Sequence, residues 1–167
     1  SPPAREGEGE TAMSLNDDAQ ALKNIPLFSK VEPTKLKLLA FTSERLTFMA
    51  GDALFREGDT ADAAFIILDG EAAIEVASDD RIVEVARVGR NDIVGEIAIL
   101  CDIPRTATVR ALSDLVTLRV SKDGFFHLVT QFPQVGIEIM AELAARLHHT
   151  TQALTAARAQ LDTGANV

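Results

Sequence analysis

Between Ser43 and Ser121 the chain is cut into short apolar segments by glycine- and aspartate-rich turns, and few folds can accept that punctuation. Leu46, Phe48, Leu54 and Phe55 mark the first segments. Phe65 to Leu68 and Ala72 to Val76 flank Asp69-Gly70, a dipeptide suited to a hairpin turn. Ile82, Val83, Val85 and Val88 form the next segment, bounded by Asp79-Asp80 and Gly89. Strands are expected again over 108–110 and 116–120. None of these runs is long enough for an ordinary helix, so the region reads as an antiparallel sandwich or barrel.

Helices are expected on both sides of it. A short one spans 17–24, followed by the turn Ile25-Pro26-Leu27-Phe28. Pro33 opens a second helix through Phe41, with Leu36, Leu38, Leu39 and Ala40 as its buried side. Ser121 is a good N-cap for a helix carrying Phe125, Phe126, Leu128 and Val129, and Pro133 breaks it and starts a longer one. In that last helix Ile137, Met140, Ala144, Leu147, Thr151, Leu154, Arg158 and Leu161 recur at alternating steps of three and four. Packing on its own domain would explain the first half. Past Leu147 a partner helix is the better account, so a homodimer through this helix is expected.

A length of 167 residues suits one domain, and 47% hydrophobic residues are enough for a core. Residues 1–12 are Pro-, Gly- and Glu-rich and read as a disordered tail or an expression remnant, with the domain at 13–167. No apolar run suggests a membrane span and no signal peptide is evident. Cys101 is the single cysteine, which excludes an internal disulfide and fits a reducing cytoplasm, the expected location. A net charge of −9 without a basic patch speaks against direct nucleic-acid binding.

Chemistry concentrates in the run from Gly95 to Ala111, where a lone carboxylate, Glu96, and a lone guanidinium, Arg105, flank a short apolar stretch. Arg105 offers a planar fork of donors to a phosphate, and Glu96 can accept from a sugar hydroxyl. Gly95 lets the backbone come close, and the N–H groups of Ile97 and Ala98 open a turn of helix where an anion is favoured. A ligand with one negative charge and a hydroxyl would use both side chains. The alternative is a structural ion pair between Glu96 and Arg105. No catalytic serine–histidine arrangement, carboxylate cluster for a metal or P-loop is visible, so a binding module is expected rather than an enzyme, with no cofactor and no metal.

Gly95-Glu96 and its apolar residues, followed by Pro104-Arg105-Thr106-Ala107-Thr108-Val109, closely resemble the phosphate-binding cassette of the cyclic nucleotide-binding domain family. The stretch from Glu57 to Gly70 resembles the same family's glycine-rich hairpin signature, and the likeness covers about 25–154. It implies an α+β fold in which an antiparallel β-roll of jelly-roll topology (44–120, cassette 95–108) lies between N-terminal helices (17–42) and C-terminal helices (121–161). It also implies that Glu96 bonds a ribose 2′-hydroxyl, that Arg105 pairs with a cyclic phosphate, and that amides near Thr106 and Ala107 complete the cradle. Thr106 would add a hydroxyl to the phosphate, alone or, as in cGMP-selective members of the family, together with a bond to the guanine amino group, and Leu100 resembles the cassette's hinge leucine.

Arg146-Leu147-His148-His149-Thr150-Thr151 is similar to the base-contacting segment of catabolite-activator-type dimers. Thr150 and Thr151 are therefore assigned to the base, with cAMP the first choice and cGMP the second. The resemblance is to the regulatory domain of the Crp-Fnr type without a helix-turn-helix. The alternatives are the sensor part of a Crp-type transcription regulator or of a cyclic nucleotide-gated channel or kinase. The sequence does not name a downstream partner.

Overall fold

The structure is a computed structural model that describes residues 5–6 and 12–165. Its elements run β1 (Arg5–Glu6), α1 (Ala12–Lys23), a 3-10 turn (Pro26–Phe28), α2 (Pro33–Phe41), β2 (Glu44–Phe48), β3 (Ala53–Phe55), β4 (Ala63–Asp69), β5 (Ala72–Ser78), β6 (Arg81–Val88), β7 (Ile93–Val94), α3 (Glu96–Cys101), β8 (Thr108–Ala111), β9 (Leu115–Ser121), α4 (Lys122–Gln131) and α5 (Pro133–Ala165). All strand pairs are antiparallel. One sheet has the order β1-β2-β9-β4-β7 and the other β3-β8-β5-β6. Pairing of early strands with late ones, β2 and β4 with β9, β3 and β5 with β8, rolls the chain into the expected jelly-roll.

Strand β4 shows why the roll needs both cores. Ala63, Phe65 and Ile67 point between the sheets, where they meet Phe48, Val94, Val109 and Leu115. Ile66 points the other way, into the helices, against Leu36, Leu118, Phe125 and Ile139. With both faces covered, the strand reads as a nearly continuous apolar run. The Asp69-Gly70 turn is present, with Gly70 at φ +97° and the space of a Cβ already taken by the Asp114 carbonyl. Asp18, almost fully buried, accepts from Nε and Nη2 of Arg45 at 2.9 and 2.6 Å and ties α1 to β2.

Several expectations need correction. The first helix begins at Ala12 rather than at residue 17. Leu38, placed on the buried side of α2, is half exposed, because Leu36, Leu39 and Ala40 alone face the core. In the first half of α5 the buried residues are Val135 and Ile139, with Leu143 partly covered, while Ile137 and Met140 lie in solvent. The α5 seam is thus turned away from the domain along its whole length. Of residues 1–12, Arg5–Glu6 pair with β2 and Ala12 starts α1; the others lie outside the described residues.

Candidate functional site

Gly95 sets up the site. It adopts φ +83° and caps α3, and a Cβ there would run into Nη1 of Arg105 and lie 3.1 Å from the Phe55 ring. Only glycine allows that approach without strain. The following six-residue helix presents the amides of Ile97 and Ala98 at its start and ends where Asp102 turns left-handed. Asp102 then pairs with Lys122 at 2.8 Å, which fixes the far end of the cassette to α4.

Arg105 is built in from all sides. Its amide donates to the Asp59 carbonyl and its carbonyl accepts from Gly58, both at 2.8 Å, locking the cassette to the loop before β4. Nη1 donates to the Gly95 carbonyl at 3.0 Å and Nη2 to the Ala63 carbonyl at 2.6 Å. The guanidinium lies over the Phe55 ring, 3.9 Å from its centre. Only 4% of the residue is exposed, and Nε–H is buried without a hydrogen-bond partner among the described residues. Burial pulls its pKa down, opposed by Asp62 and Asp59. Such an orphaned donor on a fixed cation costs free energy until an acceptor arrives.

Glu96 is also nearly buried, and among the described residues no ion pair joins it to Arg105. The structural-pair alternative is therefore not realised. Burial raises the Glu96 pKa, offset in part by its own amide and by Arg146. Arg146, on α5, reaches its Oε1 with Nη1 at 3.7 Å.

Gly95, Glu96, Ile97, Ala98, Arg105, Thr106 and Ala107 line one cavity of about 190 Å³, with Phe55, Ile74 and Val109 as its apolar walls. Thr150 and Thr151 do not join them. Both are exposed on α5, and their hydroxyls donate to the Arg146 and Leu147 carbonyls at 2.9 Å. Leu100 packs at the edge of the helical core, and Cys101 is exposed and free. The sequence marks Phe55 as a strand residue and Arg146 as part of the α5 run, without a site role for either side chain. Arg146 stands one helical turn before Thr150, a spacing that could have singled it out. Among the described residues no group of side chains is arranged to hold a metal ion, and no helix is long and apolar enough to cross a membrane.

Fold and cavity together define a β-roll in which a buried guanidinium and a separate carboxylate border one cavity. The model of the cyclic nucleotide-binding domain matches residues 45–132, and the chain belongs to that family. It is 32% identical over 108 residues to the cAMP-dependent protein kinase regulatory subunit of Emericella nidulans, a match covering 65% of this chain and 26% of that one. The chain thus spans about a quarter of that relative's length.

Among solved structures, it resembles the N-terminal domain of a transcriptional regulator from Streptomyces coelicolor, with a TM-score of 0.71 and 29% identity over 80% of this chain and 94% of the other. It also resembles the regulatory domain of Toxoplasma gondii PKA, solved with cAMP, with a TM-score of 0.69 and 25% identity over 72% and 46%.

Proposed function

We propose that the chain is a sensor module that binds a 3′,5′-cyclic nucleotide, cAMP ahead of cGMP, and signals through movement of α5. The observation that carries this reading is the fixed, buried Arg105 with an unsatisfied Nε–H, bordering the same cavity as a carboxylate, Glu96, that pairs with Arg146 rather than with it. A cyclic phosphate is a singly charged acceptor that would meet Arg105 and the amides of Ile97 and Ala98, with the Thr106 hydroxyl beside it. A ribose hydroxyl would donate to Glu96. The cAMP-bound neighbour supports adenine over guanine. Nothing in this arrangement requires a reaction, and binding suffices as the function.

Signalling follows from Arg146. A ribose hydroxyl that takes up Glu96 competes with the contact that Arg146 of α5 makes with it. The ligand then favours one position of α5 over another, which is the differential affinity that a switch requires. Thr150 and Thr151 would reach the base after such a movement, or from the α5 of a second copy. The exposed seam of Met140, Leu147, Leu154 and Leu161 supports a homodimer along this helix.

The absence of Trp and Tyr gives a direct test. The protein itself absorbs very little in the near ultraviolet, so a purine carried through purification would dominate the spectrum and be released by denaturation. Chromatography of the released material should show a cyclic purine nucleotide, and cAMP added to stripped protein should restore the absorbance after gel filtration. Failure of that restoration would sink the reading.

A further inference from the structure

The outer part of the β5–β6 hairpin stands beyond the rest of its sheet. Strand β5 pairs with β8 only from Ala72 to Glu75, because β8 begins at Thr108 and the chain just before it belongs to the cassette. Past Glu75 the hairpin pairs only with itself, as far as its Asp79-Asp80 turn. Its register slips between Ile74 and Glu75, where β6 carries Val85 as an extra residue. Such a bulge bends a strand and interrupts its ladder. Here it falls at Ile74, which is also a wall of the cavity.

Among the described residues, one hydrogen bond ties this outer part to the rest of the chain. The Ala77 amide donates to Oε1 of Glu57 at 3.0 Å. Glu57 is itself held in place. Its amide donates to Oγ1 of Thr108 at 2.9 Å, and the next two residues, Gly58 and Asp59, bond the Arg105 backbone. The turn from Arg56 to Asp59 is closed by two more bonds at 3.0 Å, from the Asp59 amide to the Arg56 carbonyl and from the Arg56 amide to Oδ2 of Asp59. One short loop thus carries both the hairpin's tether and the backbone partners of Arg105. Glu57 and Ala77 are exposed, so core packing does not explain their bond.

We propose that Glu57 is a positioning residue for the ligand, which acts through the Ala77 amide to set the β5–β6 hairpin as a wall of the cyclic nucleotide cavity. The proposal rests on the sensor reading of that cavity. An ionised carboxylate is a strong acceptor for a backbone N–H. With the bond made, the hairpin is held on both sides of its bulge, by β8 before it and by Glu57 beyond it, and Ile74 keeps one position relative to Arg105. Without the bond, the outer hairpin turns about the bulge, and the cost of ordering the wall is subtracted from binding.

Calorimetry of cAMP against the nucleotide-stripped protein and two variants tests this assignment. Glu57→Ala removes both the acceptor and the charge, whereas Glu57→Gln removes only the charge. The alanine variant should bind cAMP about fivefold more weakly, the size of one lost hydrogen bond, and the glutamine variant within about twofold of the parent. Amide hydrogen exchange at Ala77 should quicken in the alanine variant and return to the parental rate in the glutamine one. Both variants should melt like the parent, because the outer hairpin opens without the rest of the roll. A glutamine variant as weak as the alanine one overturns the proposal, since the charge alone would then be the cause. A lower melting temperature for Glu57→Ala also overturns it, making Glu57 a support of the whole fold. Binding by the parent that Glu57→Ala leaves unchanged removes the proposal alone. A parent that gives no heat with cAMP or cGMP removes the sensor reading and the proposal together.

Discussion

Arg105 is held by two carbonyls, an aromatic face and its own backbone, all from within the chain. On the proposed reading, that cost in a buried, incompletely paired cation is preorganisation, the donor geometry for a phosphate being fixed in advance. Arg105→Ala should therefore reduce cAMP affinity by about 2–5 kcal/mol, as for loss of one member of a buried charge pair. Thr106→Ala removes one neutral hydrogen bond from an exposed residue and should cost only about 0.5–1.5 kcal/mol. Calorimetric titrations of the two variants separate these losses, and equal ones would move the phosphate elsewhere.

Glu96 makes the opposite kind of prediction. Its folded pKa is raised by burial, so the stability it contributes is present below the unfolded carboxylate's pKa and is lost as pH rises through the folded value. Above its folded pKa the carboxylate carries a charge that burial disfavours. Glu96→Gln should raise the melting temperature of the stripped protein at neutral pH, reduce the change in that temperature between acidic and neutral buffer, and weaken cyclic nucleotide binding. A lower melting temperature at neutral pH would show that the Arg146 contact outweighs desolvation.

At the scale of elements, turns and motifs were legible because their residue types are forced. Asp69-Gly70 needs a positive φ, Ser121 accepts the Gly124 amide at 2.9 Å, and Gly95 must admit the Arg105 guanidinium. Faces were less legible. Leu38 and the pair Ile137 and Met140 carry the same apolar signal as their buried neighbours, and periodicity alone does not say which of two adjacent stripes meets the core. Strand β7, two residues long, gave no signal of its own. The seven cassette residues are legible because they share one local motif, whereas Phe55 meets the cavity and Arg146 meets Glu96 only through the tertiary fold.

Helix α5 carries two predictions of its own. Its 33 residues extend about 50 Å at an ordinary helical rise, well past the last residue that packs on the roll. Leu154→Glu should convert a dimer into a monomer by light scattering, and an unchanged dimer would place the interface elsewhere. Replacing Thr150 and Thr151 together by alanine should change the ratio of cAMP to cGMP affinity, since a lost hydrogen bond at a buried base edge discriminates strongly. An unchanged ratio would assign the base to the roll, with Thr106 the next residue to test.

Across the whole molecule, the proposed signalling asks the roll to serve as a frame and the helices to move against it. The two cores are separate, one between the sheets and one beneath α1, α2, α4 and α5, so the helical layer can shift without dismantling the sheets. The cassette sits where the layers meet, tied to the roll through Arg105 and to the helices through Lys122 and Arg146. The most direct test of this account is isothermal calorimetry of cAMP, cGMP and 5′-AMP against nucleotide-stripped protein and its Arg105→Ala variant. The account predicts saturable one-to-one heat with cAMP, weaker binding of cGMP, and little with 5′-AMP, whose phosphate is a dianion on the wrong geometry; the variant should lose most of the affinity. A folded native protein that gives no heat with either cyclic nucleotide would contradict it.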